Sequence, residues 1–342
     1  MKRVLVTGAA GFIGSAFVRW LLRDGRDIEV ISYDKLTYSG NLENLKPVEN
    51  DRRHRFVKGC IGDLEAVKEA MRGVDTVVNF AAETHVDRSV LDPEIFVRTN
   101  VLGTNVLLNA AREAEVDRFH HISTDEVFGD LGLDEPRRFK EGDAYVPRSP
   151  YAASKAASDH LVMAFHHTFG LPVTISNCVN NYGPYQFPEK LIPLFSTNAL
   201  EDKPLPLYRS SLNRREYIHA DDHSAAVALI IEKGRPGQSY NIGTGLEKSV
   251  EDITDIILKV TGKPESLKTY VPDRPGHDRR YAVDSGKLRE ELGWRPTVDF
   301  EEGMRQTIEW YMKNRDWWER VKDGSYREYY DQYYNRTLAG AR

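Results

Sequence analysis

Tyr151 and Lys155 stand four residues apart in Tyr151-Ala152-Ala153-Ser154-Lys155. On a helix that spacing puts both side chains on one face. An ammonium beside a phenol lowers the phenol pKa towards neutrality, which makes Tyr151 a usable base for an alcohol. Upstream, Asp125-Glu126 directly follows Ser123-Thr124 at the end of a short strand-like run. Two carboxylates in one site split their pKa values, leaving one acid and one base. That pair suits elimination of water, which needs a base for a C–H proton and an acid for the departing hydroxyl. The same two residues could also do no more than cap the following turn.

A third constellation binds rather than reacts. Gly8, Gly11 and Gly14 follow a strand-like run and open a helical pattern. Glycines there allow a tight turn, close approach to a pyrophosphate and close packing of helix on strand, while the helix N-terminus offers N–H groups to the anion. Asp34 comes twenty residues after Gly14, at the end of the next strand-like run. A carboxylate at that place accepts from ribose hydroxyls and repels a 2′-phosphate, so the expected cofactor is NAD rather than NADP.

The elements that must position these groups alternate. Lys2–Thr7, Ile28–Tyr33, Arg55–Lys58, Val74–Phe80, Arg118–Ser123 and Val173–Cys178 read as strands. Helix-length stretches such as Thr99–Ala114 and Tyr151–Phe169 lie between them. The expected fold is α/β, a Rossmann-type doubly wound parallel sheet with a smaller α/β substrate-binding lobe. Right-handed crossovers bring the strand C-termini to one edge, where ligands bind. The rhythm breaks after about Asn180. The expected division is an NAD-binding domain over 1–179, with strand and helix returns from about 212–240. A second, smaller lobe and the tail then occupy most of 180–342. Tyr326, Tyr329, Tyr330, Tyr333 and Tyr334 fall on one face of a helix in that tail and read as a packing stripe.

Composition bounds the rest. The 342 residues are 40% hydrophobic and 29% charged, enough for a sizeable core. A net charge of −5 argues against coating nucleic acid. Cys60 and Cys178 cannot build a disulfide framework, so a reducing, cytoplasmic setting is expected. Neither a membrane segment nor a metal site is expected.

The Gly-x-x-Gly-x-x-Gly spacing, with Tyr151 and Lys155, resembles the extended short-chain dehydrogenase/reductase superfamily. There Lys155 would also hold the nicotinamide ribose. Asp125-Glu126 is surplus to plain hydride transfer. The string Ser123-Thr124-Asp125-Glu126-Val127-Phe128-Gly129 resembles the signature of the dTDP-glucose 4,6-dehydratase family, and four further strings agree with it. They run from Asp34 to Asn41, Ala81 to Ser89, Asn180 to Pro193 and Asp273 to Tyr281.

The resemblance implies an internal redox cycle, with NAD tightly bound and regenerated in each turnover. Tyr151 would take the C4 hydroxyl proton of the sugar, with Thr124 bonded to the same hydroxyl. Glu126 would remove the C5 proton, and Asp125 would protonate the leaving C6 hydroxyl. The product would be a 4-keto-6-deoxy sugar nucleotide for deoxysugar biosynthesis. Cofactor contacts would fall on Gly8, Gly11, Phe12, Ile13, Gly14, Asp34, Lys35, Leu36, Thr37, Ile61, Phe80, Ala81, Ala82, Glu83, Thr84, Thr99, Tyr151, Lys155 and Asn181. Substrate contacts would fall on Thr84, Thr124, Asn180, Lys190, Leu191, Pro206, Leu207, Tyr208, Arg215, Asp273, Arg274, Pro275, Gly276 and His277. Arg215 and Arg274 fit a diphosphate best, since guanidinium forks match phosphate oxygens. A homodimer is implied, through the helices following Thr99 and Tyr151.

The sequence departs from that pattern in places. Cys60 stands where the family usually has an adenine-reading Asp, and a thiol is a weak acceptor. Arg209-Ser210-Ser211 replaces a common Gly-Asp-Gly turn, Val250 replaces a frequent Asn, and Phe128 a common Tyr. Alternatives are therefore a 4,6-dehydratase for another sugar nucleotide, such as UDP-glucose, and an epimerase or decarboxylase of the same superfamily, which would not need Asp125-Glu126. A non-catalytic NAD-binding protein is disfavoured by intact Thr124, Tyr151 and Lys155.

Overall fold

A computed structural model describes residues 1–23, 27–209, 213–272 and 279–322. Among them, seven strands form one wholly parallel sheet: β1 (Arg3–Thr7), β2 (Glu29–Asp34), β3 (His54–Lys58), β4 (Thr76–Asn79), β5 (Arg118–Thr124), β6 (Val173–Cys178) and, later in the chain, β10 (Gln238–Ile242). Their order is β10-β6-β5-β4-β1-β2-β3, which reverses direction between β1 and β4. Such a reversal opens a crevice beyond the strand ends.

Alternation along each strand builds two cores. Val4, Val6, Val30 and Val78 face the helices Phe12–Arg23 and Ala220–Lys233. Leu5, Ile31, Val77 and Phe119 face the helices Leu64–Ala70, Thr104–Glu113 and Pro150–Phe169. Burial on both faces explains the continuous apolar stretches Val4-Leu5-Val6 of β1 and Val77-Val78 of β4. Each of the six expected strands is present, with ends shifted by two residues or fewer.

The remaining strands are β7 (Asn180–Tyr182), β8 (Leu205–Tyr208), β9 (Arg214–His219), β11 (Glu247–Ser249) and β12 (Lys268–Val271). They make a three-stranded sheet, β11-β9-β7, and a two-stranded one, β12-β8. A separate apolar cluster, with Ile192, Phe195, Leu207, Ile253, Ile257 and Ile308, holds these sheets to the helices Leu191–Leu200, Val250–Thr261 and Phe300–Lys313. No described helix is long and apolar enough to cross a membrane. The tail tyrosines beyond Lys322 lie outside the described residues.

Candidate active site

The dinucleotide loop is shaped by what a side chain would strike. Gly8 has φ +65°, and a Cβ there would sit 2.7 Å from the Ala81 nitrogen. A Cβ on Gly14 would collide with the Gly8 carbonyl oxygen. The loop therefore lies flush against the end of β4, and no larger residue fits. Asp34 anchors it: Oδ2 accepts from the Ala10 N–H at 2.9 Å and Oδ1 from the Leu36 N–H at 2.7 Å. Burial nevertheless raises the Asp34 pKa, with those two N–H groups opposing the shift.

Strand register brings the reacting groups to the same edge. Asn79, the last residue of β4, pairs with His121, so β5 runs three residues further and carries Thr124 forward. There Thr124 pairs with Cys178 at the end of β6. The helix Pro150–Phe169 begins with a Ser149 cap accepting the Ala152 N–H and with Pro150 in its first turn. Its first turns place Tyr151 and Lys155 beside β5, both buried. A π-helical segment, Val97–Gly103, precedes the neighbouring helix. In it Asn100 accepts from the Glu83 N–H at 2.8 Å and donates to the Glu83 carbonyl at 3.0 Å and to Ser154 Oγ at 2.8 Å. Asn100 thus ties the loop after β4 to the tyrosine helix.

Thr124 is the hub of the acid–base groups. Its Oγ1 accepts from the Glu126 N–H at 3.3 Å, which caps the short 3-10 turn Asp125–Phe128. The cap of this turn is the threonine hydroxyl rather than either carboxyl group. Thr124 Oγ1 donates to Asp125 Oδ1 at 3.2 Å and also hydrogen-bonds with the Tyr151 phenol. Asp125 is 2% exposed, and its Oδ2 has no hydrogen-bond partner among the described residues. Burial, then the nearby Glu126 charge, raise the Asp125 pKa well above its ordinary value, which favours the protonated acid.

One expectation is corrected here. Lys155 does not lower the phenol pKa in this structure. Burial, followed by Glu126, raises Tyr151 well above its ordinary value. The Lys155 ammonium is directed elsewhere: Nζ donates to the Ile122 carbonyl at 2.7 Å and lies 3.3 Å from His121 Nε2. Behind it lies a buried polar chain that the sequence did not announce. His121 Nε2 is 3.5 Å from Asp159 Oδ1, and Asp159 Oδ2 accepts from Ser123 Oγ at 2.6 Å. Burial brings the Asp159 pKa up to about 6.

These groups line one cleft of about 300 Å³. Gly8, Gly11, Phe12, Ile13, Gly14, Asp34, Lys35, Thr37, Ile61, Phe80, Ala81, Ala82, Glu83, Thr84, Thr99, Tyr151, Lys155 and Asn181 all border it, as do Thr124, Asp125, Glu126, Asn180 and Lys190. Leu36 does not; it contributes its N–H to Asp34 at a φ of +58°. Leu191 opens the helix behind Lys190. Pro206, Leu207 and Tyr208 lie on β8, away from this cleft. Arg215 does not border it, but its charge lowers the Asp125 pKa, and its guanidinium lies 4.5 Å over the Tyr281 ring. Asp273, Arg274, Pro275, Gly276 and His277 lie outside the described residues. The cleft also includes Cys60, at the expected adenine end, and Cys178, Gln186 and Glu189, which the spacing of motifs did not single out for this wall.

The cleft fits a dinucleotide on two counts. The glycine cradle accepts a close ligand. The buried Asn181 Oδ1, with no hydrogen-bond partner among the described residues, offers an acceptor for an amide N–H.

A model of the GDP-mannose 4,6 dehydratase family matches residues 5–307. A dTDP-glucose 4,6-dehydratase from Xanthomonas campestris is 49% identical, covering 96% of this chain and 98% of its own. The crystal structure of the Streptomyces venezuelae dTDP-glucose 4,6-dehydratase, with NAD and TYD bound, superposes with a TM-score of 0.91 at 50% identity, over 94% of this chain and all of its own. A UDP-glucose 4-epimerase from Thermotoga maritima shares the fold at 31% identity and a TM-score of 0.84, covering 92% and 99% of the two chains. The fold alone therefore does not select the reaction, whereas the sequence identity and the acid pair agree. On these grounds the chain belongs to the dTDP-glucose 4,6-dehydratase family, within the extended short-chain dehydrogenase/reductase superfamily.

Proposed function

We propose that the chain converts dTDP-glucose to dTDP-4-keto-6-deoxyglucose and water, as an NAD-dependent hydro-lyase. The observation that carries this reading is Asp125, buried so that its protonated form is favoured, in one cleft with Thr124 and Tyr151. An epimerase has no use for such an acid. Bound NAD⁺ supplies the hydride acceptor for C4, the later donor for C6, and a positive ring charge that favours the Tyr151 phenolate.

The protein's own groups do the rest. Gly8, Gly11 and Gly14 cradle the pyrophosphate, Asp34 takes the ribose hydroxyls, Lys155 the nicotinamide ribose and Asn181 the amide. Tyr151 Oη takes the proton of the C4 hydroxyl while Thr124 Oγ1 holds that hydroxyl. The ketone acidifies C5–H, and Glu126 removes that proton. Asp125 protonates the C6 hydroxyl, which leaves as water. Glu126 then returns its proton to C5. Lys190 and Arg215 are assigned to the sugar nucleotide, with Arg274 as the second diphosphate reader.

Residues 1–179 and the return strand β10 serve the cofactor in this reading, and most of 180–342 serves the nucleotide. A homodimer is part of it: Val90, Leu91, Ile95, Val97 and Leu102 expose an apolar strip along the segment 86–102. So is a cytoplasmic setting, supported by two free cysteines. The test is dTDP-glucose carrying deuterium at C4. Deuterium recovered at C6 of the product supports the internal cycle, and product with no label at C6 overturns it.

A further inference from the structure

The reaction just proposed leaves the pocket in a different state from the one in which it began. Tyr151 ends with the C4 hydroxyl proton. Asp125 ends without the proton it gave to water. Glu126 returns what it took and is unchanged. The overall conversion of sugar to keto sugar plus water neither releases nor consumes a proton. One proton must therefore pass from Tyr151 to Asp125 before the next cycle.

The Thr124 hydroxyl stands between the two. It donates to Asp125 Oδ1 at 3.2 Å and hydrogen-bonds with the Tyr151 phenol. Its Oγ1 also accepts the Glu126 N–H at 3.3 Å. That fixed donor occupies one lone pair, so one hydrogen and one lone pair remain for two partners. Two arrangements join all three groups while Tyr151 and Asp125 share a single proton. In one, Tyr151 O–H donates to Thr124 and Thr124 O–H donates to an Asp125 carboxylate. In the other, a protonated Asp125 donates to Thr124 and Thr124 donates to a Tyr151 phenolate. These are the final and initial proton inventories of the cycle. Tyr151 and Asp125 are both buried, at 8% and 2% exposure, which disfavours a route through bulk water. Burial pushes both groups towards their protonated forms, so they compete for one proton.

We propose that Thr124 is a proton wire that resets the site, returning a proton from Tyr151 to Asp125 without exchange with solvent. The step rests on the reading under Proposed function. In it the Tyr151 Oη–H bond breaks as a new O–H bond forms on Thr124 Oγ1. The hydroxyl's original O–H bond breaks as one forms on Asp125 Oδ1. No atom is oxidised or reduced, and the negative charge moves from the Asp125 carboxylate to the Tyr151 oxygen.

The test follows product and protons together. Holoenzyme is mixed with excess dTDP-glucose in weakly buffered solution containing a pH indicator. The wild type is expected to show no proton transient through the first turnovers. Thr124→Val is expected to give a burst of one product per site, then a steady state slower than its first turnover by about 10-fold or more. Imidazole, as a small diffusible proton carrier, is expected to speed that steady state, and Thr124→Ser to restore wild-type behaviour. A transient of one proton per site in the wild type overturns the proposal, and decides it even if Thr124→Val does not fold. So does a Thr124→Val enzyme whose first turnover and steady state slow equally, with no response to imidazole. A wild type that does not dehydrate dTDP-glucose at all overturns the underlying reading, and the wire with it; the product measurement identifies that case separately.

Discussion

Lys155 Nζ lies 2.7 Å from the carbonyl oxygen of Ile122, two residues before Thr124 on β5. The helix bearing Tyr151 is thereby pinned to the strand bearing the acid pair. His121 is disfavoured as a cation by burial and by the Lys155 charge, and its Nε2 lies 3.3 Å from the ammonium. Lys155 positions the phenol from behind, through the strand, rather than by direct contact.

Lys155→Met is therefore expected to slow nicotinamide reduction by about 10²-fold or more, and to weaken NAD retention. Stopped-flow absorbance of the reduced nicotinamide, with bound NAD measured after gel filtration, checks both effects. An unchanged reduction rate would remove the positioning role.

Asp125→Asn keeps the shape of the acid but not its proton. The C4 oxidation should survive while water loss slows by about 10²–10⁴-fold. Reduced nicotinamide should then accumulate during a single turnover. Glu126→Gln should also stop after oxidation and, in addition, abolish exchange of the C5 proton with solvent deuterium. Product formation at the wild-type rate in both variants would contradict the elimination roles.

The centre of the sheet was legible where strands buried on both faces carry apolar and β-branched residues, as in Val4-Leu5-Val6 and Val77-Val78; Val173–Cys178 has the same ends in sequence and structure. The return strand β10 was read only as an approximate region. Its sequence, Gln-Ser-Tyr-Asn-Ile, has no apolar run, and edge pairing with β6 defines it. The candidate site was legible wherever a motif lies on one strand end or one helix turn. Asn100, His121, Asp159 and Glu189 were not, because their partners are distant in sequence: Glu189 accepts from Tyr38 and Arg88, each at 3.2 Å. The effect of Lys155 on the phenol was misread for a related reason. Spacing of four residues fixes a shared helix face, but the Ile122 carbonyl decides where the ammonium points.

Cys60 borders the cleft, with its sulfur accepting the Gly62 N–H at 3.4 Å and its carbonyl accepting from Tyr33 Oη at 3.0 Å. The carbonyl is thus already engaged, and the thiol is a poor acceptor for an adenine amino group. Cys60→Asp is expected to slow NAD dissociation by about 2- to 10-fold, the worth of one added hydrogen bond. Dissociation followed by exchange with a fluorescent NAD analogue checks this; a faster loss would show that the carboxylate repels the ligand.

His223 is buried with neither ring nitrogen hydrogen-bonded among the described residues, and burial lowers its pKa to about 3. His120 beside it behaves the same way. Below pH 6.5 the unfolded chain gains protons there that the folded chain refuses, so these groups subtract stability as pH falls from 6.5 towards 3. Asp159, raised to about 6, acts in the opposite sense between its unfolded value and that pH. His223→Leu removes one histidine contribution alone. Its stability relative to the wild type should rise as pH falls through that window, by up to about 1.4 kcal/mol per pH unit. Denaturant unfolding at several pH values measures it, and a pH-independent difference would refute the assignment.

The most direct test of the central claim uses the purified protein with no added cofactor, given dTDP-glucose and, in parallel, UDP-glucose. The product is identified by mass and by the alkali-induced absorbance of 4-keto-6-deoxy sugars. The expected result is loss of one water from dTDP-glucose in preference to UDP-glucose, with NAD still bound at the end. Recovery of an isomer of unchanged mass, or of unreacted sugar even after NAD is added, would contradict it.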